Sequence, residues 1–115
     1  MADERSAPAP VDLLAGDGHG PLWGTASQEL NATLLAWPPG HTVAEHVNAE
    51  RDVLLVVVEG AATVIIDDAD HLLRAPAAIL IPRRSSRRIV VGPDGVRYLT
   101  SHRVRPGIEL RPERT

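Results

Sequence analysis

Apolar and polar positions along the chain predict a series of short β-strands. Leu30–Trp37 and Ala77–Ile81 are apolar stretches that end at proline, which cannot continue the hydrogen-bond ladder of a central strand. Residues 53–58 form a continuous aliphatic run with several β-branched members, the pattern of a strand buried on both faces. No long window keeps the apolar period of an amphipathic helix, so we predict a chain without long helices.

Polar turns separate the remaining predicted strands. Asp-Asp-Ala-Asp at 67–70 lies between apolar stretches at 62–66 and 71–74, and Gly-Pro-Asp-Gly at 92–95 lies between two more. The first of these predicts a hairpin, and the second is another turn signal. Short strands at close spacing, with turns rich in Gly and Pro, predict an all-β fold, a small antiparallel barrel or sandwich.

Length and composition limit the protein to one domain. Of the 115 residues, 1–20 are rich in Ala, Pro, Gly and Asp, and we expect a flexible N-terminal tail before a single barrel domain at 21–115. The chain has no cysteine, so disulfides, thiolate metal sites and a cysteine nucleophile are excluded. We find no signal peptide and no apolar run of membrane-spanning length, and expect a cytoplasmic protein without a membrane partner.

The net charge of −3 conceals an uneven distribution. Residues 1–70 contain twelve acids and two arginines, whereas residues 71–115 contain three acids and ten arginines. The segment at 81–90, IPRRSSRRIV, holds four of them: Arg83, Arg84, Arg87 and Arg88. Basic clusters can contact phosphates. The chain is acidic overall, however, and its three aromatic residues offer little surface for stacking bases, so we predict no nucleic-acid partner.

The segment at 40–60, GHTVAEHVNAERDVLLVVVEG, resembles the first motif of the cupin family. Gly40, His46 and Gly60 stand at the positions of the opening glycine, the first metal-binding histidine and the closing glycine. Pro82 matches the proline of the second motif. The resemblance covers about residues 22–110 and implies a cupin barrel of two packed antiparallel sheets, in a family whose members are commonly homodimers.

The resemblance also implies a metal site, which this sequence does not complete. Cupins hold iron, manganese, nickel or zinc with three histidines and a glutamate. His46 stands at the first ligand position, and the other three positions hold Asn48, Val53 and Arg87. Valine cannot coordinate a metal and arginine stays cationic, so we expect no cofactor. A shift of one residue in register would instead offer a mixed site for a divalent transition metal (Fe, Mn, Ni or Zn), formed by His46, Asp52 and His102.

Arg87 stands where cupins keep a metal-binding histidine, so the resemblance directs its side chain into the barrel. Strand alternation then turns Arg88 outward. A buried guanidinium needs acceptors. Two interpretations follow: a salt bridge to Glu50 or Asp52, or a bidentate clamp on the carboxylate or phosphate of a ligand.

Three further residues carry expectations of their own. Trp37 ends a strand and is expected at the barrel rim or at a dimer interface. His41, in the turn after Pro-Pro-Gly, is expected to be exposed. By alternation, His102 shares a strand face with Thr100 and Tyr98, and that face is either the interior or the outside.

The expected function is that of a cupin-domain protein without metal that binds a small polar or anionic ligand in the barrel interior. A few polar groups in an apolar cavity are typical of small-molecule sites. The pocket residues would be His46, Asn48, Val53, Arg87 and His102. One alternative is a metal-dependent enzyme of the dioxygenase, isomerase or decarboxylase type, with His46 and Glu50 as candidate catalytic residues. Another is a structural or partner subunit without a ligand.

Overall fold

The computed structural model describes residues 9–104, and they form an all-β domain, as the sequence predicts. No helix in this part of the chain is long and apolar enough to cross a bilayer. The strands are β1 (Gly20–Ala26), β2 (Leu30–Trp37), β3 (Thr42–Val47), β4 (Val53–Ile66), β5 (Ala69–Arg74), β6 (Ala77–Ile81) and β7 (Ser86–Arg103).

All seven strands belong to one antiparallel sheet that folds over on itself. β4 and β7, with 14 and 18 residues, pair with each other along most of their length. The first half of β4 and the last half of β7 form a layer with β6, β2 and β1. The second half of β4 and the first half of β7 form a second layer with β5 and β3. The two layers enclose the core, which gives the barrel that the sequence predicts.

Gly60 and Gly95 form the corner at which the long strands pass from one layer to the other. Both have positive φ, 76° and 78°. A Cβ atom on Gly60 would lie 2.1 Å from the carbonyl oxygen of Gly95, so no side chain fits there. The predicted turn at 92–95 is wrong: these residues lie inside β7, because the segments on both sides of them pair with the same strand, β4.

Aliphatic side chains fill the space between the layers. Val53, Leu55 and Val57 on β4 are at most 2% exposed and pack with residues of β5, β6 and β7. Their neighbour Leu54 points outward and is 43% exposed. The prediction that residues 53–58 are buried on both faces is therefore wrong for Leu54, because nothing within residues 9–104 covers that part of the outer surface.

Prolines and polar turn residues predicted the positions of several strands and turns accurately. β2 and β6 have the predicted bounds, and the turn between β4 and β5 lies at Asp67 and Asp68, both with positive φ. β1 and β3 were not predicted as strands. Their sequences, GPLWGTA and TVAEHV, are short and most of their residues are exposed, so the alternation of apolar and polar residues that marks a strand is weak in both.

Arg97 holds part of the N-terminal segment against the outer surface of the barrel. Its terminal guanidinium nitrogens donate hydrogen bonds to the carbonyl oxygens of Leu13, Ala15 and Gly16, at 2.8 to 3.0 Å. Its Nε lies 3.4 Å from a carboxylate oxygen of Glu59, although not in hydrogen-bond geometry. Within the N-terminal tail predicted at 1–20, residues 13–16 are thus a part whose backbone is bonded to the barrel. Residues 1–8 lie outside the described part of the chain.

Candidate functional site

Arg87 lies on the inner face of the barrel, near its open end. We use "open end" for the end crossed by two loops, 48–52 between β3 and β4 and 82–85 between β6 and β7. Arg87 is opposite His46 on β3 and Ile66 on β4. The next residue on the same face of β7, Ile89, is 3% exposed in the core. The side chain of Arg87 therefore points inward, where the alignment on Pro82 placed it.

The surroundings of Arg87 are poor in acceptors. Its guanidinium forms no recorded hydrogen bond or ion pair within residues 9–104. Burial lowers the pKa of Arg87, and the nearby phenol of Tyr98 opposes that shift. The expected salt bridge to Asp52 is absent: that carboxylate is exposed and accepts a hydrogen bond from the backbone N–H of Arg83 at 2.9 Å. Among the described residues, Arg87 is thus a half-buried cation without a carboxylate partner.

Tyr98 brings a buried hydroxyl close to Arg87. The residue is 3% exposed, and its hydroxyl accepts a hydrogen bond from Nε1 of Trp37 at 3.0 Å. Burial raises the pKa of Tyr98, while the hydrogen bond from Trp37 and the charge of Arg87 partly oppose the shift. The phenol therefore stays neutral, and it presents a polar atom inside an otherwise aliphatic core.

Trp37 also stacks on His41. The two ring centroids are 4.3 Å apart and the planes are inclined by 6°. Trp37 and His41 are both half-buried, so the expectation of an exposed His41 is wrong, and Trp37 faces the interior rather than a rim alone. The Pro-Pro-Gly turn between them, with φ of 77° at Gly40, reverses the chain and brings the rings together.

A row of polar side chains continues from Tyr98 toward the open end. Thr100 and His102 follow it at alternate positions of β7, and the pairing with β2 runs without a break. Thr100 lies opposite Thr33, and His102 lies opposite Asn31. All four are half-buried, so the face that His102 shares with Tyr98 is the inner one.

The remaining predicted pocket residues lie around the same end. Val53 is fully enclosed on the inner face, whereas His46 and Glu50 are exposed. The side-chain oxygen of Asn48 accepts hydrogen bonds from the backbone N–H groups of Glu50 and Arg51, both at 3.1 Å. These two hydrogen bonds stabilise the loop at 48–52 and occupy the oxygen. The structure thus brings four of the five predicted residues to the inner face, namely His46, Val53, Arg87 and His102.

The donor set does not fit the metal of the cupin family. At the four ligand positions, only His46 offers a free ligand atom, since Val53 and Arg87 cannot coordinate and the oxygen of Asn48 is already hydrogen-bonded. The shifted set fails as well, because Val53 rather than Asp52 points inward. Within residues 9–104 there is no group of three histidine or carboxylate side chains that could hold a metal ion.

Two cavities are described, one at the corner between the layers and one at the open end. One, of about 220 Å³, lies at the corner near Gly60 and Gly95 and is also lined by residues 17–19. The other, of about 660 Å³, lies at the open end between the two crossing loops and Arg103. Sequence reasoning did not locate either of them, because each combines segments that are distant along the chain.

Comparisons with known proteins agree on the fold. No family model matches the sequence. Over 73 residues the chain is 30% identical to dimethylsulfoniopropionate lyase DddW of Ruegeria pomeroyi. The match covers 64% of this chain and 47% of the lyase, so the chain spans about half the length of that relative.

Two solved structures illustrate the structural likeness. The cupin domain of Cnp3 from Schizosaccharomyces pombe superposes with a TM-score of 0.66 at 15% identity, over 76% of this chain and 64% of that one. A cupin-2 domain protein from Shewanella frigidimarina superposes with a TM-score of 0.66 at 16% identity, over 77% and 85%. With its two antiparallel layers and its first-motif residues at the open end, the chain therefore has the cupin fold.

Proposed function

We propose that the protein binds a small carboxylate, without a metal, at the open end of the barrel interior, and that Arg87 anchors the ligand. One observation carries this proposal: a half-buried guanidinium on the inner face has no acceptor among residues 9–104. Removing such a cation from water is costly unless it is paired. A carboxylate supplies two coplanar acceptors that match the guanidinium in bidentate geometry.

The surroundings of Arg87 support a small ligand. The inner face offers polar groups toward the open end and an aliphatic floor beneath them, a combination typical of small-molecule sites. The polar groups are Asn31, Thr33, His46, Thr100 and His102. A ligand held by Arg87 could direct its own hydroxyl or amine groups to this row.

The donor set supports the metal-free part of the proposal. An arginine at a ligand position would repel a divalent cation at short range. Elemental analysis of the purified protein provides the test. One equivalent of a transition metal per chain, lost in His46→Ala, would overturn this part of the proposal.

Calorimetric titration with a panel of small mono- and dicarboxylates tests the role of Arg87. We expect Arg87→Met to weaken the best binder by about tenfold or more, since a charge-assisted bidentate pair is lost. Arg88→Met is the matched control, because Arg88 is the next residue on β7 and its side chain is exposed on the outer face. Equal affinities of wild type and Arg87→Met for every carboxylate would contradict the proposal.

The similarity to the lyase favours one second candidate, an enzyme that acts on a small sulfonium carboxylate. Its discriminating test is the consumption of dimethylsulfoniopropionate, followed by NMR, with and without added iron(II) or zinc. Turnover that requires both the metal and His46 would favour the metal-dependent alternative. Turnover without metal that is lost in Arg87→Met would combine catalysis with the binding mode proposed above.

A further inference from the structure

The larger cavity at the open end is lined mainly by arginines. It lies between the loops 48–52 and 82–85 and the end of β7, and we call it the loop cleft. Its charged lining residues are Glu50, Arg51, Asp52, Arg83, Arg84 and Arg103. Four cations against two anions leave an excess of two positive charges, 4 − 2 = +2, around a cavity of about 660 Å³.

The frame of the loop cleft is fixed by hydrogen bonds between the two loops. The backbone N–H of Arg84 donates to the carbonyl oxygen of Asn48 at 2.7 Å. The backbone N–H of Arg83 donates to the carboxylate of Asp52 at 2.9 Å. Because the two backbones are tied together, the loops lose less conformational entropy when a ligand binds.

Two features of the loop cleft cost free energy in the protein alone. Nε of Arg51 is buried and has no hydrogen-bond partner among the described residues, a condition that native structures rarely leave without a reason. Arg84 adopts a φ of 71°, in the left-handed region that non-glycine residues seldom occupy. The turn at 82–85 accounts for this φ, because the backbone N–H of Ser85 donates to the carbonyl oxygen of Pro82 at 3.2 Å and Arg84 is the third residue of that turn. The unpaired Nε of Arg51 is therefore the feature that favours a ligand.

The loop cleft is separate from the inner-face site of Arg87. Arg103 alternates with His102 on β7 and is exposed, so its side chain lies on the outer face of the barrel. Arg83 and Arg84 belong to the loop before β7 and are exposed as well. The basic segment at 81–90 thus contributes to two different places: Arg87 to the interior, and Arg83 and Arg84 to the outside.

We propose that the loop cleft binds a compact, multiply charged phosphate compound, such as a diphosphate or a phosphomonoester. Several guanidinium groups around one cavity suit the many acceptor oxygens of such a ligand better than a single carboxylate. None of the described residues that line the cleft is aromatic. They provide no stacking surface for bases, which favours a small phosphate over a nucleic-acid strand.

Calorimetric titration of the full chain with inorganic pyrophosphate tests the proposal. We expect one saturable site per chain, weakened about tenfold or more in Arg83→Gln and in Arg103→Gln, and weakened further by added salt. Both residues are exposed, so these variants should fold, which thermal unfolding checks. Arg88→Gln removes a charge from the same basic segment outside the cleft, and Arg87→Met removes the interior anchor; both should bind pyrophosphate as the wild type does.

Four results would overturn the proposal. The first is a failure of pyrophosphate to saturate the protein at millimolar concentration. An equal loss of affinity in Arg88→Gln would indicate attraction by net charge alone. A loss confined to Arg87→Met would place the anion in the interior, and would leave the carboxylate site as the anion site of the protein. Tighter binding of a short oligonucleotide than of pyrophosphate would assign the cleft to a nucleic acid.

Discussion

Arg87 and His46 lie directly opposite each other in the pairing of β3 with β7, on the face that forms the barrel interior. Opposed residues of antiparallel strands have their Cβ atoms within about 5.5 Å of each other. His46 therefore borders any ligand that Arg87 holds. The two residues come from the two motifs by which the chain resembles cupins. In that family both positions hold metal ligands, whereas in this chain one holds a histidine and the other an arginine.

Placing a carboxylate opposite Arg87 should occupy its guanidinium from within the chain. We expect His46→Glu to form a cross-strand ion pair, to change the free energy of unfolding by no more than about 1 kcal/mol, and to weaken carboxylate binding by about tenfold. Val47→Glu, one position along on β3 and opposite Ser86, is the control and should leave binding unchanged. Undiminished carboxylate binding by His46→Glu in calorimetry would show that Arg87 does not contact the ligand.

Tyr98 should make the stability of the protein depend on alkaline pH. Burial raises its pKa above the ordinary value of 10.0, so the unfolded chain releases this proton at lower pH than the folded chain does. The stabilisation is complete below the unfolded pKa and is lost as pH rises through the folded one. We expect the urea midpoint to fall above pH of about 10, and to fall less in Tyr98→Phe.

The titration of Tyr98 can be observed directly. The chain contains a single tyrosine, so the ultraviolet absorbance of tyrosinate reports this residue alone. We expect the transition of the native protein to lie at higher pH than that of the urea-unfolded protein. Coincident transitions in the two states would show that the phenol is not buried as the structure has it.

Removal of the Arg97 guanidinium should release the segment 13–16. The side chain donates three hydrogen bonds to backbone carbonyl oxygens, and bonds to a charged group are stronger than neutral ones. We expect Arg97→Met to lower the free energy of unfolding by about 2–4 kcal/mol, measured by urea denaturation with tryptophan fluorescence. Arg88→Met, at an exposed position of the same strand, should change the free energy of unfolding little. Equal stabilities of the two variants would show that Arg97 does not stabilise the protein through the segment 13–16.

The corner between the layers should tolerate no side chain at Gly60. A Cβ atom there would lie 2.1 Å from a backbone oxygen of Gly95, and the backbone on either side belongs to strands that cannot move independently. We expect Gly60→Ala to cost about 3 kcal/mol or more, or to prevent folding. Gly40→Ala has a similar φ with open space around it and should cost only about 1 kcal/mol. Thermal unfolding compares the two variants, and equal losses of stability would contradict the close approach of Gly60 to Gly95.

We also predict a homodimer formed through the outer face of the layer that contains β6. Leu54 and Leu80 are paired neighbours on that face and are 43% and 54% exposed. In the described sheet, β6 pairs with β4 alone, so its other edge is free to be covered. We expect Leu80→Glu to shift the sedimentation equilibrium toward monomer. Leu72→Glu, at an exposed leucine of the other layer, should leave the equilibrium unchanged. A wild-type protein that is monomeric at micromolar concentration would contradict the prediction.

Sequence reasoning predicted the fold and part of the candidate site because both depend on local residue preferences and on strand register. The aliphatic run from Val53 and the proline that ends β6 act through local preferences, which the chain carries wherever it lies. Alignment on Pro82 fixed a register, and a register decides by alternation that Arg87 faces inward and Arg88 outward. The interior direction of His102 did not follow from alternation alone, since alternation assigns a shared face without saying which side is buried.

The sequence by itself determined that this protein is all-β, with an aliphatic core, and that its cupin ligand positions carry residues unsuited to the metal of that family. The tertiary structure decided the rest. Only the pairing of both halves of β7 with β4 places residues 92–95 at the corner of one long strand instead of in a turn between two strands. The contacts of Trp37 with Tyr98 and of Arg97 with the N-terminal segment, and the arginine-lined loop cleft, join positions many residues apart. Contacts of that kind depend on how the layers close around the core, and local preference does not contain this information.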